Sequence, residues 1–272
     1  MDGGPGVSRF FQKGLNKAIK EGEIEILFQP QVEFASGRIV GAEALARWQQ
    51  PEIGEIGAET LFEAAAAAGL ADELSEYVQC RAVEEAARWP EPLAHLRLSV
   101  NITASDTVSP AFAARFLAMV DETGFSLARL TVEITETELI GNLDAAAGTL
   151  ARLRERGLRT ALDDFGTGYS SLLYLKALPL DAIKIDKRLT EDIGGSERDR
   201  IVVRSVIAMG RALGLEVIAE GVETEEQRRL LALEGCDLYQ GYLCSSPIDS
   251  ARLAALADLH DLRNVEDIRL EK

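Results

Sequence analysis

Apolar and polar positions along this chain follow two rhythms, and the change from one to the other predicts the architecture. Near the start, FFQKGLNKAIKEGEI repeats apolar residues at helical spacing, with Phe11, Leu15, Ala18 and Ile19 on one face of a short amphipathic helix. Two strand-like runs follow, IEILFQPQVEF and RIVGAEALARW, joined only by the turn signal ASG. So short a connection predicts an antiparallel hairpin. Beyond it, helical stretches (ETLFEAAAAAGLADELSEYVQCRAVEEAARW, AFAARFLAMVDETG, DAAAGTLARLRERG, ERDRIVVRSVIAMGRALG and TEEQRRLLALEG) alternate with short strands. The strands read LRLSVNI, RLTVEIT, LRTALDDF, AIKID, LEVIAEG and LYQGYL. Alternation of this kind means parallel strands with crossover helices. With the hairpin the strand count reaches the number that closes a barrel. The expected fold is therefore α/β, a (β/α)8 TIM-like barrel whose first strand runs antiparallel. An open doubly wound sheet is the alternative, and no G-x-G-x-x-G or P-loop pattern follows a strand to support it.

Composition narrows the reading. The 272 residues are 47% apolar, enough for one large core, and no repeat, low-complexity tract or composition break marks a second one. The expected organisation is a flexible linker over residues 1–9, opening MDGGPGV, a catalytic-size domain over 10–250, and a helical tail over 251–272. A net charge of −16 argues against polymeric nucleic acid and anionic membrane as partners. It leaves room for a small anionic ligand if metal ions supply positive charge. Cys80, Cys236 and Cys244 are scattered and odd in number, as in reduced thiols. With no signal peptide and no apolar run long enough to span a bilayer, the expected location is the cytoplasm, with a membrane-tethered parent protein left open.

Candidate chemistry comes from acids placed where strands end. In RIVGAEAL, Glu43 lies late in a strand, where an unpaired carboxylate is poorly suited and expensive to bury. It has company: Asn101 ends LRLSVN, Glu133 lies in LTVEIT, Asp163 and Asp164 end LRTALDD, and Glu220 ends LEVIAE. Lys184 sits in AIKID, and Gln240 is read as opening the last strand. The C-terminal ends of barrel strands are where active sites form. Each acid alone reads as a solvated strand end. Five acids and an amide converging on one mouth repel one another by several kcal/mol unless cations intervene. Oxygen ligands without His or Cys select hard cations such as Mg2+ or Mn2+. His95 and His260 lie elsewhere. On a regular strand Asp163 and Asp164 face opposite sides, but at a strand end the second can turn into the mouth. One could then bridge two metals and the other hold the second alone, the arrangement that clamps both oxygens of a phosphodiester displacement.

FGTGYSSL after the pair is a glycine-rich loop beside the metals, suited to gating. Thr224 and Gln227 form a capping box, which makes Glu223 supportive rather than catalytic. Glu136, three residues past Glu133, reads from spacing alone equally as a solvated acid or as an acceptor for the loop's N–H groups.

At this point the chain resembles the EAL-domain family of cyclic-di-GMP phosphodiesterases. FQP, EALARW, SVNI, EITE, DDFGTGYSSL, KID, AEGVET and QGYL stand in family order from about Phe10 to Ile248. The resemblance implies the same barrel with an antiparallel first strand, and hydrolysis of cyclic di-GMP to linear pGpG with two Mg2+ or Mn2+ ions per active site. It implies that Glu43, Asn101, Glu133, Asp163 and Glu220 surround one metal, and that Asp163 also reaches the second, held by Asp164. Lys184 would orient the attacking water and help deprotonate it, its ammonium also balancing excess acid, and Glu43 and Glu220 count with it as catalytic residues. Gln29, Leu45, Arg47 and Gln240 match positions lining the substrate groove, and Glu136 matches the glutamate that anchors the loop. LFEAAAAAG departs from the family's Phe-Ile-Pro-Leu-Ala-Glu-like segment beside one guanine. The family also implies fusion to a sensory or GGDEF-type domain and a homodimer formed near the loop after Asp164. The alternative function is a receptor that binds cyclic di-GMP without cleaving it, and none of the metal positions is lost here. A purely structural domain would leave the acid ring unexplained.

Overall fold

The computed structural model describes residues 14–51, 53–140, 142–166 and 171–270. The chain opens with helical residues 14–21 (α1), in which Leu15 and Ala18 are fully buried and Ile19 packs partly against the core, as the spacing predicts. Phe11 and the linker over 1–9 lie outside the described residues.

Strands β1 (Ile24–Glu33) and β2 (Ile39–Gln50) form the expected antiparallel hairpin. The remaining barrel strands are β4 (Arg97–Asn101), β5 (Leu130–Thr135), β6 (Arg159–Phe165), β7 (Ala182–Ile185), β8 (Glu216–Ala219) and β9 (Leu238–Gln240). From β2 through β9 they pair parallel in the order β2-β4-β5-β6-β7-β8-β9. β1 closes the ring, antiparallel to both β9 and β2. The barrel is thus the predicted (β/α)8 type with one inverted strand. Central strands read apolar because both faces are covered: Val100, Val132 and Leu162 are at most 1% exposed.

Crossover helices wrap the barrel: α2 (Ala58–Ala68), α3 (Ala71–Ala86), α4 (Ala104–Val108), α5 (Phe112–Thr123), α6 (Leu143–Glu155), α7 (Ser171–Ala177), α8 (Lys187–Thr190), α9 (Glu197–Ala212) and α10 (Glu225–Glu234), with α11 (Ser250–Leu270) as the tail. Two details depart from expectation. The stretch ETLF…AARW is two helices, because Gly69 adopts φ +68° and caps α2 with N–H bonds to Ala65 O and Ala66 O. A short strand β3 (Gly54–Ile56) pairs with the far end of β2, extending that strand past the barrel to Gln50. At the N-terminal end of the barrel, Glu216 pairs with Arg97 at 3.0 Å and Arg159 at 2.9 Å, the side chains coming from alternate strands. No helix among the described residues is long and apolar enough to cross a membrane.

Candidate active site

The barrel mouth brings together the polar residues singled out at the strand ends. Glu43 comes from β2, Asn101 from β4, Glu133 from β5, Asp163 and Asp164 from β6, Lys184 from β7, Glu220 from just past β8, and Gln240 from β9. Parallel register sets Glu43 beside Ser99 and Asn101 beside Glu133, so strand pairing alone aligns the ring. Gln240 ends its strand instead of opening it, since β9 stops there. Gly241 requires that stop. A Cβ on it would lie 2.2 Å from Val222 O, and the backbone bonds Val222 N–H to Gln240 O and Leu243 N–H to Val222 O need that close approach.

Lys184 is the hub. Its fully buried ammonium lies 3.0 Å from Glu43 Oε2, 2.8 Å from Glu133 Oε2, 3.0 Å from Asp163 Oδ2 and 2.9 Å from Glu220 Oε1. Burial by itself would lower its pKa, but the carboxylates of Asp163, Glu133, Glu220 and Glu43 outweigh that and hold it well above the ordinary lysine value. One ammonium faces more negative charge than it can balance. Burial, reinforced by neighbouring acids, pushes Glu133 up to about 8 and raises Asp163 and Glu220. Glu43 goes the other way: burial opposes its ionisation, but Lys184, Gln240 and Asn101 favour the carboxylate and lower its pKa. Asn101 Nδ2 donates to Glu43 Oε1 at 2.9 Å and Gln240 Nε2 donates to Glu43 Oε2 at 2.6 Å.

A bulge lets Asp163 and Asp164 share the mouth. The β6–β7 register slips between Leu162 and Phe165, and Asp164 has φ 55°, a left-handed conformation rare outside glycine. Its N–H bonds Asp163 Oδ1 at 2.8 Å. Burial, the Asp163 charge and a hydrogen bond with Asp186 push Asp164 up to about 7. Such local strain accumulates at functional sites.

The donor set fits divalent metal ions. Carboxylate oxygens of Glu43, Glu133 and Asp163 lie within 4.8 Å of one another, as do those of Asp163, Asp164 and Glu220. Asp163 belongs to both groups, and Glu220 falls with the Asp pair. Among the described residues, Glu133 Oε1 is buried without a hydrogen-bond partner. An orphaned buried oxygen within a ring of excess negative charge is what a bound dication would satisfy.

The EAL domain family matches residues 12–247, the span that builds this barrel and its acid ring. The chain belongs to the EAL domain family. Among similar proteins are the cyclic di-GMP phosphodiesterase NbdA of Pseudomonas aeruginosa, 38% identical over 89% of this chain and 31% of its own length, and the cyclic di-GMP phosphodiesterase PA2567 of the same organism, 37% identical over 86% of this chain and 40% of its own. The chain therefore spans well under half the length of these relatives. Among solved structures, a PaMucR phosphodiesterase in complex with c-di-GMP superposes with a TM-score of 0.83 at 32% identity, covering 89% of this chain and 99% of that one.

Beside the acids of this EAL domain opens a cleft of about 470 Å³, lined among others by Gln29, Leu45, Arg47 and Gln240. Gln240 Nε2 bonds Gln29 Oε1 at 3.0 Å. Arg47, half-buried, donates to Ala46 O at 2.8 Å. Glu136 is 2% exposed and accepts the Gly166 N–H at 3.4 Å, so it is not a solvated acid. Residues 167–170 of the glycine-rich loop lie outside the described residues. Glu223 contributes its N–H to Gln227 Oε1 beside the Thr224–Gln227 capping box. His95 bonds Ile39 O and His260 bonds Gly37 O, both away from the mouth.

Asp186 and Tyr242 are among the cleft residues that escaped the sequence reading. Asp186 lies beside Asp164 and caps α8 through the Arg188 N–H at 2.8 Å. Its spacing of two from Lys184 was the available signal, because such residues share a strand face. Tyr242, exposed on the cleft rim, follows Gly241 and had no periodic signature.

Proposed function

We propose that this domain hydrolyses cyclic di-GMP to linear pGpG, with two Mg2+ or Mn2+ ions held at the barrel mouth. The single observation that carries the reading is the shared carboxylate, Asp163, common to two groups of converging carboxylates. Glu43, Glu133 and Asp163, with Asn101, would hold one ion, and Asp163, Asp164 and Glu220 the other. When bound, two such ions polarise a phosphodiester and stabilise charge on its attacking and leaving oxygens.

The chain's own residues supply the rest. Lys184, whose charged form the surrounding carboxylates favour, would orient the attacking water as a donor and a fixed positive charge and so help its deprotonation. Glu43 and Glu220, both paired with the Lys184 ammonium, would act with it in activating the water. Gln29, Leu45, Arg47 and Gln240 would line the nucleotide groove, with Arg47 offering a planar fork to a phosphate or guanine edge. Glu136 holds the start of the glycine-rich loop. Relatives named as cyclic di-GMP phosphodiesterases support the substrate. Their greater length supports a parent protein that carries a further domain, which the family resemblance makes a sensory or GGDEF-type one. That the parent acts in the cytoplasm and dimerises near the loop after Asp164 rests on the resemblance alone.

The test is incubation with cyclic di-GMP and Mg2+, followed by identification of the product. Linear pGpG is expected with Mg2+ or Mn2+, and none with Ca2+ or excess EDTA, since calcium's larger, looser coordination spoils the two-metal spacing. Tight binding with cyclic di-GMP left intact would make the domain a receptor instead.

A further inference from the structure

The buried stripe of α3 is apolar at Leu74, Val78, Ala82, Val83 and Ala86, where the helix packs against β4. Two polar residues interrupt it one turn apart. Ser75 is 1% exposed and Gln79 is 4% exposed. Gln79 Nε2 lies 2.9 Å from Ser75 Oγ, 3.0 Å from Asp106 Oδ2 and 3.2 Å from the Asn101 backbone carbonyl. Asp106 Oδ2 also accepts the Ser75 hydroxyl and the Thr103 N–H, each at 3.0 Å. This amide therefore ties both ends of the turn leaving β4, from Asn101 to Asp106, to one helix.

We infer that Gln79, supported by Ser75 and Asp106, is a positioning residue that sets the Asn101 side chain for the ion held with Glu43 and Glu133. The inference rests on the metal-dependent reading above and deepens it. Capping α4 does not require Gln79, because Thr103 and Asp106 already form a complete capping box. Packing α3 on β4 does not require it either: an apolar side chain of similar volume would fill the same stripe without burying an amide. What Gln79 adds is the bond to the Asn101 carbonyl. On the other side, the Ile102 N–H bonds Glu133 O at 2.9 Å. With both ends of the Asn101–Ile102 peptide held, the plane that follows the Asn101 Cα is fixed, and with it the direction in which the side chain leaves the backbone. Its Nδ2 is committed to Glu43 Oε1, which leaves the amide oxygen as the end offered to an ion. Partners that hold a ligand in place typically change metal affinity or activity by about 10–100-fold when removed.

The test compares wild type with Gln79→Met, which keeps the length of the side chain and removes its donors. Binding of Mn2+ is read by the electron paramagnetic resonance signal of the free ion, without substrate. The expected result is a melting temperature close to wild type, Mn2+ binding weakened by about 10-fold, and a matching rise in the Mg2+ concentration for half-maximal hydrolysis. KM for cyclic di-GMP at saturating Mg2+ stays unchanged. If Gln79→Met does not fold, Ser75→Ala, a smaller change in the same network, carries the comparison. Unchanged Mn2+ binding in the folded variant overturns the inference. A wild type that binds Mn2+ but leaves cyclic di-GMP intact overturns the proposed hydrolysis alone, and the Mn2+ comparison still decides the role of Gln79.

Discussion

Glu133 Oε2 sits 2.8 Å from the Lys184 ammonium, while Glu133 Oε1, equally enclosed, has no hydrogen-bond partner. One carboxylate is thus half satisfied by a cation and half buried without a protein donor among the described residues. Burial and the charges of Glu43 and Asp163 outweigh Lys184 and push it up to about 8. The site is electrostatically incomplete until further positive charge arrives.

Stability in EDTA should therefore fall as pH rises. A carboxyl whose folded pKa is about 8, against an ordinary 4.5, binds its proton more tightly in the folded state. That preference is fully present below pH 4.5 and is lost as pH climbs toward 8. Asp164, at about 7, contributes in the same direction. Saturating Mg2+ neutralises these oxygens and should flatten the decline. Melting temperatures across this range, with EDTA and with Mg2+, measure both curves, and a metal-free protein that stabilises steadily up to pH 8 would contradict the account.

Removing the hub has a related consequence. Lys184→Met leaves Glu43, Glu133, Asp163 and Glu220 without the cation they now share. Breaking one side of a buried ion pair typically destabilises by about 3–5 kcal/mol. In EDTA at pH 8 the variant should melt about 10 °C lower, and Mg2+ should restore part of the loss by binding the folded state. Hydrolysis should not return with stability, because the donor to the water is gone. Near-normal turnover in the Mg2+-loaded variant would remove Lys184 from the chemistry.

Much of this site was legible because strands have a strict period of two and barrels gather their C-terminal ends. Glu43, Glu133 and Glu220 needed nothing more. Asp163 and Asp164 were legible as a pair, but not the bulge and the φ of 55° that turn both inward, since those depend on the slipped β6–β7 register. Asp186 was not legible because it lies just past β7, where it caps α8 and reaches the mouth only through the turn between them. The break at Gly69 was hidden by the alanine run before it, which looks helical at any phase. Ser75 and Gln79 could not be read as functional, because a polar residue on a helix stripe declares its partner only when the neighbouring turn is in place.

Arg47 should divide binding from catalysis. It lines the cleft from β2, donating to Ala46 O at 2.8 Å, and its nearest carboxylate, Glu55, lies 3.9 Å from its Nε, so no close ion pair holds its charge among the described residues. A charge-assisted bond to a phosphate contributes roughly 1.5–3 kcal/mol. Arg47→Ala should raise KM for cyclic di-GMP by about 10–100-fold while kcat stays within a few-fold, the pattern of lost uniform binding. Arg47→Lys should fall between, keeping the charge and losing the fork. A kcat collapse at unchanged KM would place Arg47 with the reacting atoms instead.

Glu136 carries the last prediction, because its carboxylate reaches from the end of β5 to the loop that starts after β6. Its Oε1 accepts the Gly166 N–H at 3.4 Å, and the side chain is 2% exposed. Gly166 has φ +105°, and a Cβ on it would lie 2.3 Å from the Leu189 side chain, so the loop leaves β6 in a conformation that only glycine takes there. A segment with so little steric preference of its own needs an outside acceptor to define it, and Asp164 lies two residues earlier on the same stretch of backbone. Glu136→Ala removes the acceptor and should move the loop and Asp164 together. The expected result is a folded protein with kcat lowered about 10–100-fold and a higher Mg2+ requirement. Glu136→Gln retains an acceptor oxygen at the same reach and should recover part of the rate. Hydrogen exchange across residues 164–171 supplies the readout that kinetics cannot: amides there should exchange faster in Glu136→Ala than in wild type or Glu136→Gln. Equal exchange and equal turnover in all three proteins would leave Glu136 as a buried acid with no hold on the loop.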